Sequence, residues 1–344
     1  MPNSKGPGRL RYDVVRAEHL GVGDLDSWRQ IATGDPILSS PFFQPDYTLG
    51  VAAVRDGVEV CRIRHGERLV GVYPFERLPD GVARPVGGAL SNYQAVVAER
   101  GVAWSARELA TAAGVRQLQF HHQIAEQREF EPFARKLALS PVMDFADGLE
   151  AYLRARRDAG VTEFKAIPRK TRRLEQEIGP LRFTVHSTDA ADFDALVAWK
   201  CAQYTRTGTR GSLQLAWGVA AVKRMLAVQS PGFAGMLSCL YAGDRLIAVH
   251  AGMRSATELH YWFPAYDLEV ARYSPGQLIL LRVAEWAIAS GITRIDLGKG
   301  DEQYKSWFAT GHRRLLVGQV SVPRVRLFVA RAARMVRRLV RRKS

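Results

Sequence analysis

Residues 265–308 read AYDLEVARYSPGQLILLRVAEWAIASGITRIDLGKGDEQYKSWF, and their order decides the fold. Pro275 suits the first turn of a helix, and the apolar run from Leu278 carries that helix on to about Ser290. Ile292 to Leu297 then reads as a strand, and Glu302 to Ala309 as a short helix. Upstream lie three β-rich runs, Gly235 to Tyr241, Arg245 to Met253 and Glu258 to Pro264, joined by short turns. A strand that feeds a helix that feeds a strand requires one parallel pair, whereas the short turns before it require antiparallel pairing. The expectation is an α/β fold (an α+β mixed sheet), closed by a last strand over Arg314 to Val322.

The first half echoes this pattern. Residues 64–72, RHGERLVGV, match residues 241–249, YAGDRLIAV, at an offset close to half the chain, and each stretch is a glycine turn followed by an apolar strand. A duplicated domain is the expectation this raises, although glycine-turn hairpins also recur by chance. Further expected elements are strands at Glu59 to Arg64, Arg68 to Phe75, Gln117 to His121 and Leu181 to His186. Helices are expected at Asp24 to Ala32 (Asp24 as its N-cap), Ser105 to Ala113, Leu149 to Asp158, Pro168 to Ile178 (Pro168 in its first turn), Asp189 to Thr205 and Val219 to Val228. The division expected is 1–150, a first domain; 151–185, a basic helical connection; 186–322, a second domain; and 323–344, a basic amphipathic tail helix.

Composition removes several classes of protein. With 47% apolar and 24% charged residues over 344 positions, the chain is globular rather than disordered. Three scattered cysteines without a CxxC exclude a disulfide scaffold and a Cys-rich zinc site. No uncharged run approaches a membrane span, and the first ten residues lack the apolar core of a signal peptide. The net charge is +15, but residues 324–344 hold nine cations and no acid, which leaves +6 for the rest. The basicity therefore belongs mostly to the tail and does not by itself point to nucleic acid. No helix-turn-helix or zinc finger is present, so DNA is not an expected partner.

The block Asp296, Gly298, Gly300, Tyr304, Lys305, with Tyr266-Asp267 and Ser274-Pro275-Gly276 before it, resembles the cellulose-biosynthesis-type (CelD-like) acetyltransferases, a branch of the GNAT superfamily related to the FemAB transferases. Residues 169–173 and 85–94 extend the resemblance to roughly residues 20–322. It implies tandem GNAT-like acyl-CoA N-acyltransferase domains, with the transferase site in or beside the second. It also implies that the loop before the long helix holds the diphosphate of an acyl-CoA co-substrate on free backbone N–H groups, through Ser274, Gly276 and Gln277. Tyr273 stands where the superfamily usually has a basic residue, so an acyl carrier protein or an aminoacyl-tRNA stays open as donor.

Each site residue has a plainer alternative. His250, mid-strand, suits a base that takes a proton from an amine, or is a hydrogen-bonded core histidine; Asp267 competes for that role, and His260 is a weaker candidate. Tyr304 can protonate a leaving thiolate, or is a packed aromatic. Asp296 and Lys305 are expected to bind substrate, or serve as a cap and a solvated charge; Tyr266 is also expected to bind substrate. His121 and His122 are adjacent, and no HxH or HExxH spacing occurs, so no metal is expected. The five cations of 165–173 offer a surface for a polyanion or a solvated helix face. The tail's apolar stripe among arginines suits an anionic membrane surface or packing on the body.

The function expected is transfer of an acyl group from acyl-CoA to an amino sugar or other envelope or polysaccharide precursor, in the cytoplasm or at the inner face of the membrane. The alternatives are a FemAB-like aminoacyl transfer from tRNA and a non-catalytic scaffold on the same fold.

Overall fold

The computed structural model describes residues 10–300 and 302–323; the expected tail helix lies outside the described residues. In chain order the elements are β1 (Arg11–Arg16), α1 (Val22–Gly34), α2 (Pro45–Ala52), β2 (Val58–His65), β3 (Arg68–Arg77), β4 (Val82–Arg84), β5 (Val97–Ala98), α3 (Ala106–Ala113), β6 (Gln117–Ile124) and β7 (Ala134–Asp144). There follow α4 (Gly148–Asp158), α5 (Glu163–Glu177), β8 (Leu181–Thr184), α6 (Ala190–Thr207), α7 (Ala216–Leu226), β9 (Ala234–Ala242), β10 (Arg245–Arg254), β11 (Glu258–Tyr266), α8 (Pro275–Ala289), β12 (Arg294–Asp296), α9 (Gln303–Phe308) and β13 (Gly311–Ser321). The chain divides into two units, one of residues up to 38, 42–138 and from 314, the other of 39–41 and 139–313. The helices of 148–177 thus fold with the second unit, and the chain re-enters the first at Arg314.

In the first unit the strands run in the order β1, β2, β3, β4, β6, β13, with β5 also on β3. Helix α1 packs on β3 and β5, and α3 on β1 and β2. The core gathers Cys61, Ile63, Phe75, Leu109, Phe120 and Phe130. Asp24 does not cap α1, whose N-cap is Gly21. Its carboxylate instead accepts from Arg62 and Arg64, 2.7 Å each, two cations that β2 brings to one place.

In the second unit the order is β7, β12, β11, β10, β9, β8. All pairs are antiparallel except β11 with β12. That parallel pair is the one the strand–helix–strand order of 258–297 requires. Helix α8 buries Leu278, Ile279, Leu280, Val283, Ala284 and Ala287, and it packs with α6 and α7 on the β9–β11 meander. Helix α6 starts at the Asp189 cap, whose side chain accepts from Ala191 N. Helix α5 begins at Glu163, five residues before the expected start, so Pro168 sits inside it. Lacking an N–H, Pro168 leaves the Phe164 carbonyl without its helical donor.

Both units share one local plan: a hairpin (β2–β3; β9–β10), a strand antiparallel to its second arm (β4; β11), a helix (α3; α8), and a strand parallel to the third (β6; β12). This is the duplication that the RHGERLVGV echo announces.

Candidate active site

The parallel pair of the second unit is short. β12 pairs with β11 at Glu258, Leu259 and His260, then ends at Asp296. β11 continues to Tyr266, paired on its other edge with β10. From Tyr261 onward the β12-side edge has no strand beside it among the described residues. A free backbone edge inside a sheet is a ready place for an extended ligand to hydrogen-bond. The edge spans the six residues Tyr261 to Tyr266, about 17 Å at strand rise, and each end carries a distinct polar cluster.

At the Tyr266 end lies the start of α8. Ser274, with φ 58° and ψ 51°, is the one non-glycine residue with positive φ among those described. Its carbonyl accepts from Gln277 N at 3.0 Å and Leu278 N at 3.2 Å. The N–H of Gly276 has no acceptor among the described residues. A Cβ on Gly276 would stand 3.2 Å from the Tyr266 ring, so the glycine lets that ring close over the helix end. Helix α5 reaches the same loop: Lys170 Nζ donates to Ser274 Oγ at 2.6 Å. One residue earlier, the Tyr273 hydroxyl donates to Glu177, which also accepts from Arg272 at 2.9 Å and pairs with Arg173. The Tyr273 bond and the Arg173 pairing pull the Glu177 carboxyl down to about 2. The loop is thus held from outside by α5, with cations around a helix end.

At the Tyr261 end lies a buried cluster. Asp296 is wholly buried at the C-terminus of β12. Its Oδ1 accepts from Gly298 N at 2.7 Å and Ser140 Oγ at 3.0 Å, and lies 3.1 Å from His260 Nδ1. Lys305 Nζ donates to Gly298 O (3.1 Å) and Lys299 O (2.7 Å) and pairs with Glu302 at 2.9 Å. All three of its N–H groups are thereby engaged, and the ammonium clamps the glycine loop shut. Gly300, at φ 129°, has no room for a side chain, since a Cβ would strike the Glu302 carboxylate and stand 3.0 Å from Lys305 Nζ.

His250 stacks on Tyr261 at 4.0 Å and 13°. Both its ring nitrogens, and the Tyr261 hydroxyl, are buried without a hydrogen-bond partner among the described residues. Groups like these need an explanation. A bulge between Ala251 and Met253 makes the arrangement fit, for a Cβ at Gly252 would stand 2.6 Å from His250 Nε2. Burial, with His260 and Lys200 nearby, pushes His250 down to about 3, so the imidazole is neutral at physiological pH. Burial raises Tyr304, which keeps its proton as a donor.

The structure therefore brings His250, His260, Asp296 and the Tyr304–Lys305 turn to one end of the β11 edge, and Tyr266, Ser274, Gly276 and Gln277 to the other. Asp267 joins neither cluster. Its Oδ2 takes two bonds from Arg245, 3.0 and 2.6 Å, and its Oδ1 caps the next turn through Glu269 N at 2.9 Å.

The same place in the first unit is closed. Beyond β4, the chain returns to β6 at Gln94, which bridges to Gln123, with Gln94 N to His122 O at 2.8 Å and Ile124 N to Gln94 O at 3.0 Å. The Gln94 side chain adds a bond from His121 N at 2.9 Å. Helix α3 is capped by its own Ser105 and carries Glu108 in its first turn, which disfavours an anion. Of these two equivalent places, the one in the second unit is the one that keeps an open strand edge and an uncapped helix start among the described residues.

Residues 163–306 match the family described as "Acetyltransferase (GNAT) domain". Over this segment the chain is similar to the GNAT acetyltransferases. No curated protein matches the chain. Among solved structures, FemX is similar at TM-score 0.57 and 10% identity, covering 89% of this chain and 96% of FemX. The C-terminal DUF2156 domain of a protein described as a lysylphosphatidylglycerol synthetase, from Agrobacterium fabrum, is similar at TM-score 0.53 and 11% identity, covering 91% and 96%. A tandem GNAT protein from the clavulanic acid biosynthesis pathway is similar at TM-score 0.50 and 13% identity, covering 92% and 99%. The identities are low, and these likenesses speak for the fold. The resemblance of this segment to GNAT acetyltransferases holds, as does the mixed α/β fold.

A cavity of about 380 Å³ in the first unit is lined by Asp35, Arg68, Glu99 and Arg100, whose charges pair with one another. Among the described residues no group of His, Cys, Asp and Glu is arranged to hold a metal ion, and no helix is long and apolar enough to cross a membrane.

Sequence reasoning passed over Ser140, Tyr261 and Lys200. Lys200 left a readable signal: it continues the buried stripe Phe193, Leu196 of α6 at helical spacing, so a lysine occupies a core position.

Proposed function

We propose that the GNAT domain transfers an acyl group from acyl-CoA to an amine on an amino sugar or another envelope or polysaccharide precursor. The observation that carries this reading is the open β11 edge with an anion-favouring helix end at one terminus and a buried polar cluster at the other. The donor's diphosphate sits at the α8 start, against Gly276 N, Gln277 N and Ser274, with Lys170 and Tyr266 beside it. The acyl-pantetheine arm follows the β11 edge, whose free N–H groups hold the thioester carbonyl and favour the oxyanion. The acceptor meets the thioester near His250. Tyr304 meets the departing sulfur as a hydrogen-bond donor, and Asp296 and Lys305 keep the 296–305 turn in place for acceptor binding. The protein works in the cytoplasm, with residues 324–344 available to an anionic membrane surface.

Titration calorimetry with acetyl-CoA, longer acyl-CoAs and acylated carrier protein tests the donor. Binding of one of them supports the reading, and failure of all three ends it. A second reading, aminoacyl transfer from tRNA, draws on the exposed cations Arg154, Arg157, Lys165, Arg169 and Arg172 of α4 and α5, which have no carboxylate partner among the described residues. It requires a tRNA complex that weakens steeply with salt.

A further inference from the structure

Lys200, on the buried stripe of α6, has no role in the sequence motif, yet it is the least explained charge in the second unit. It is 8% exposed. A buried ammonium ordinarily has a carboxylate beside it. Lys200 has none within ion-pair distance among the described residues: its Nζ donates to the neutral Gln203 Oε1 at 2.9 Å and stands 5.8 Å from the centre of the Tyr204 ring. Two of its three N–H positions are unspent. α6 packs on β10 and β11, the strands that carry His250 and Tyr261, whose buried ring nitrogens and hydroxyl lack partners among the described residues. Three polar atoms without a partner among the described residues, beside a lysine with N–H groups to spare, describe a place for a polar ligand group.

We propose that Lys200 is the proton acceptor of the transfer, taking the proton that the acceptor amine loses as it attacks the thioester. This rests on the acyltransfer reading above. The nitrogen–carbon bond forms as the amine proton passes to the lone pair of Lys200 Nζ, which enters the step as the neutral amine. The carbon–sulfur bond then breaks, and the departing thiolate, hydrogen-bonded by Tyr304, is the sink for the proton on Lys200. The products are the amide and the free thiol, and Lys200 returns to its starting state.

The surroundings suit the task. His250 is held neutral and too weakly basic to keep a proton at neutral pH. Burial lowers Lys200 to about 8, with Glu302 opposing the shift and Lys305 adding to it. The groups facing it are Gln203 and Tyr204 on its own helix, His250 on β10, and Glu302 and Lys305 at α9. A base with a pKa near the working pH is the efficient one, and lysine acquires that property by burial.

The test has two parts on the full chain. Competitive labelling with acetic anhydride across pH 6–11, read by mass spectrometry, measures when Lys200 loses its proton; a midpoint near 8 is expected, and a midpoint with the surface lysines overturns the proposal. In an acetyl-CoA transfer assay with a small-molecule cell extract supplying the amines, Lys200→Arg and Lys200→Gln are each expected to lower kcat at least about a hundredfold, with KM for acetyl-CoA unchanged. Arginine keeps the charge but does not give up its proton, so a Lys200→Arg enzyme as active as the parent overturns the base role in favour of charge alone. Unchanged calorimetric affinity for CoA shows that each variant is folded. A parent that binds no CoA overturns the acyl-CoA reading instead, and the labelling midpoint still judges Lys200.

Discussion

Asp296 Oδ1 stands 3.1 Å from His260 Nδ1, and both side chains are wholly buried. The same oxygen takes Gly298 N and Ser140 Oγ, so one carboxylate ties β12, β11, β7 and the glycine loop together. Removing it leaves Gly298 N and Ser140 Oγ buried without their acceptor and takes the carboxylate away from His260. Asp296→Ala is expected to lower stability by about 3–5 kcal/mol, and Asp296→Asn, which keeps an oxygen for two of the bonds, by about half as much. Urea unfolding of both variants checks the order.

Lys305 acts on the same loop from the other side. Its ammonium holds Gly298 O, Lys299 O and Glu302. Lys305→Met is expected to cost roughly 2–4 kcal/mol, since bonds to charged groups carry about 1.5–3 each. It should also open residues 297–303 to proteolysis. Limited proteolysis with mass mapping reads this directly; an unchanged cleavage pattern would deny the clamp.

The fold was legible because it is written in order and periodicity. The helix 275–289, the meander before it and the single parallel pair all follow from where apolar residues recur between 234 and 296. The site was only half legible. Asp296, Tyr304 and Lys305 stand in a recognisable motif, but the motif does not say that Lys305 spends its N–H groups on backbone carbonyls. Asp267 shows the opposite case: a conspicuous acid after a strand proves to be a cap paired with Arg245. Lys200 and Tyr261 escaped because their meaning depends on partners absent in space, which spacing along a chain does not encode.

His250 makes the acid side of the stability curve steeper. Its folded pKa, about 3, lies below the ordinary 6.5, so between those values the unfolded chain binds more protons and stability falls as pH falls. Above pH 6.5 the effect vanishes. The parent should lose up to about 1.4 kcal/mol per pH unit below 6.5 relative to His250→Phe, which keeps the stack on Tyr261. Urea titrations of both proteins at pH 7, 6, 5 and 4.5 test it; parallel curves would contradict the burial argument.

Ser274 holds a left-handed conformation that glycine adopts freely. Ser274→Gly relieves about 1 kcal/mol of strain and loses the bond from Lys170; Ser274→Ala loses the bond and keeps the strain. The alanine variant is therefore expected to be less stable than the glycine variant by about 1 kcal/mol, measured as a difference in Tm or urea midpoint.

The central claim is that each chain holds one acyl-donor site, on the open β11 edge of the second unit, while Gln94 and Ser105 close its counterpart in the first. Titration calorimetry of the full chain with acetyl-CoA measures this most directly. The expected result is one molecule bound per chain, with affinity reduced at least about tenfold in a Gly276→Val variant that crowds Tyr266 and the helix end. Two molecules per chain, or binding that Gly276→Val leaves untouched, would contradict it.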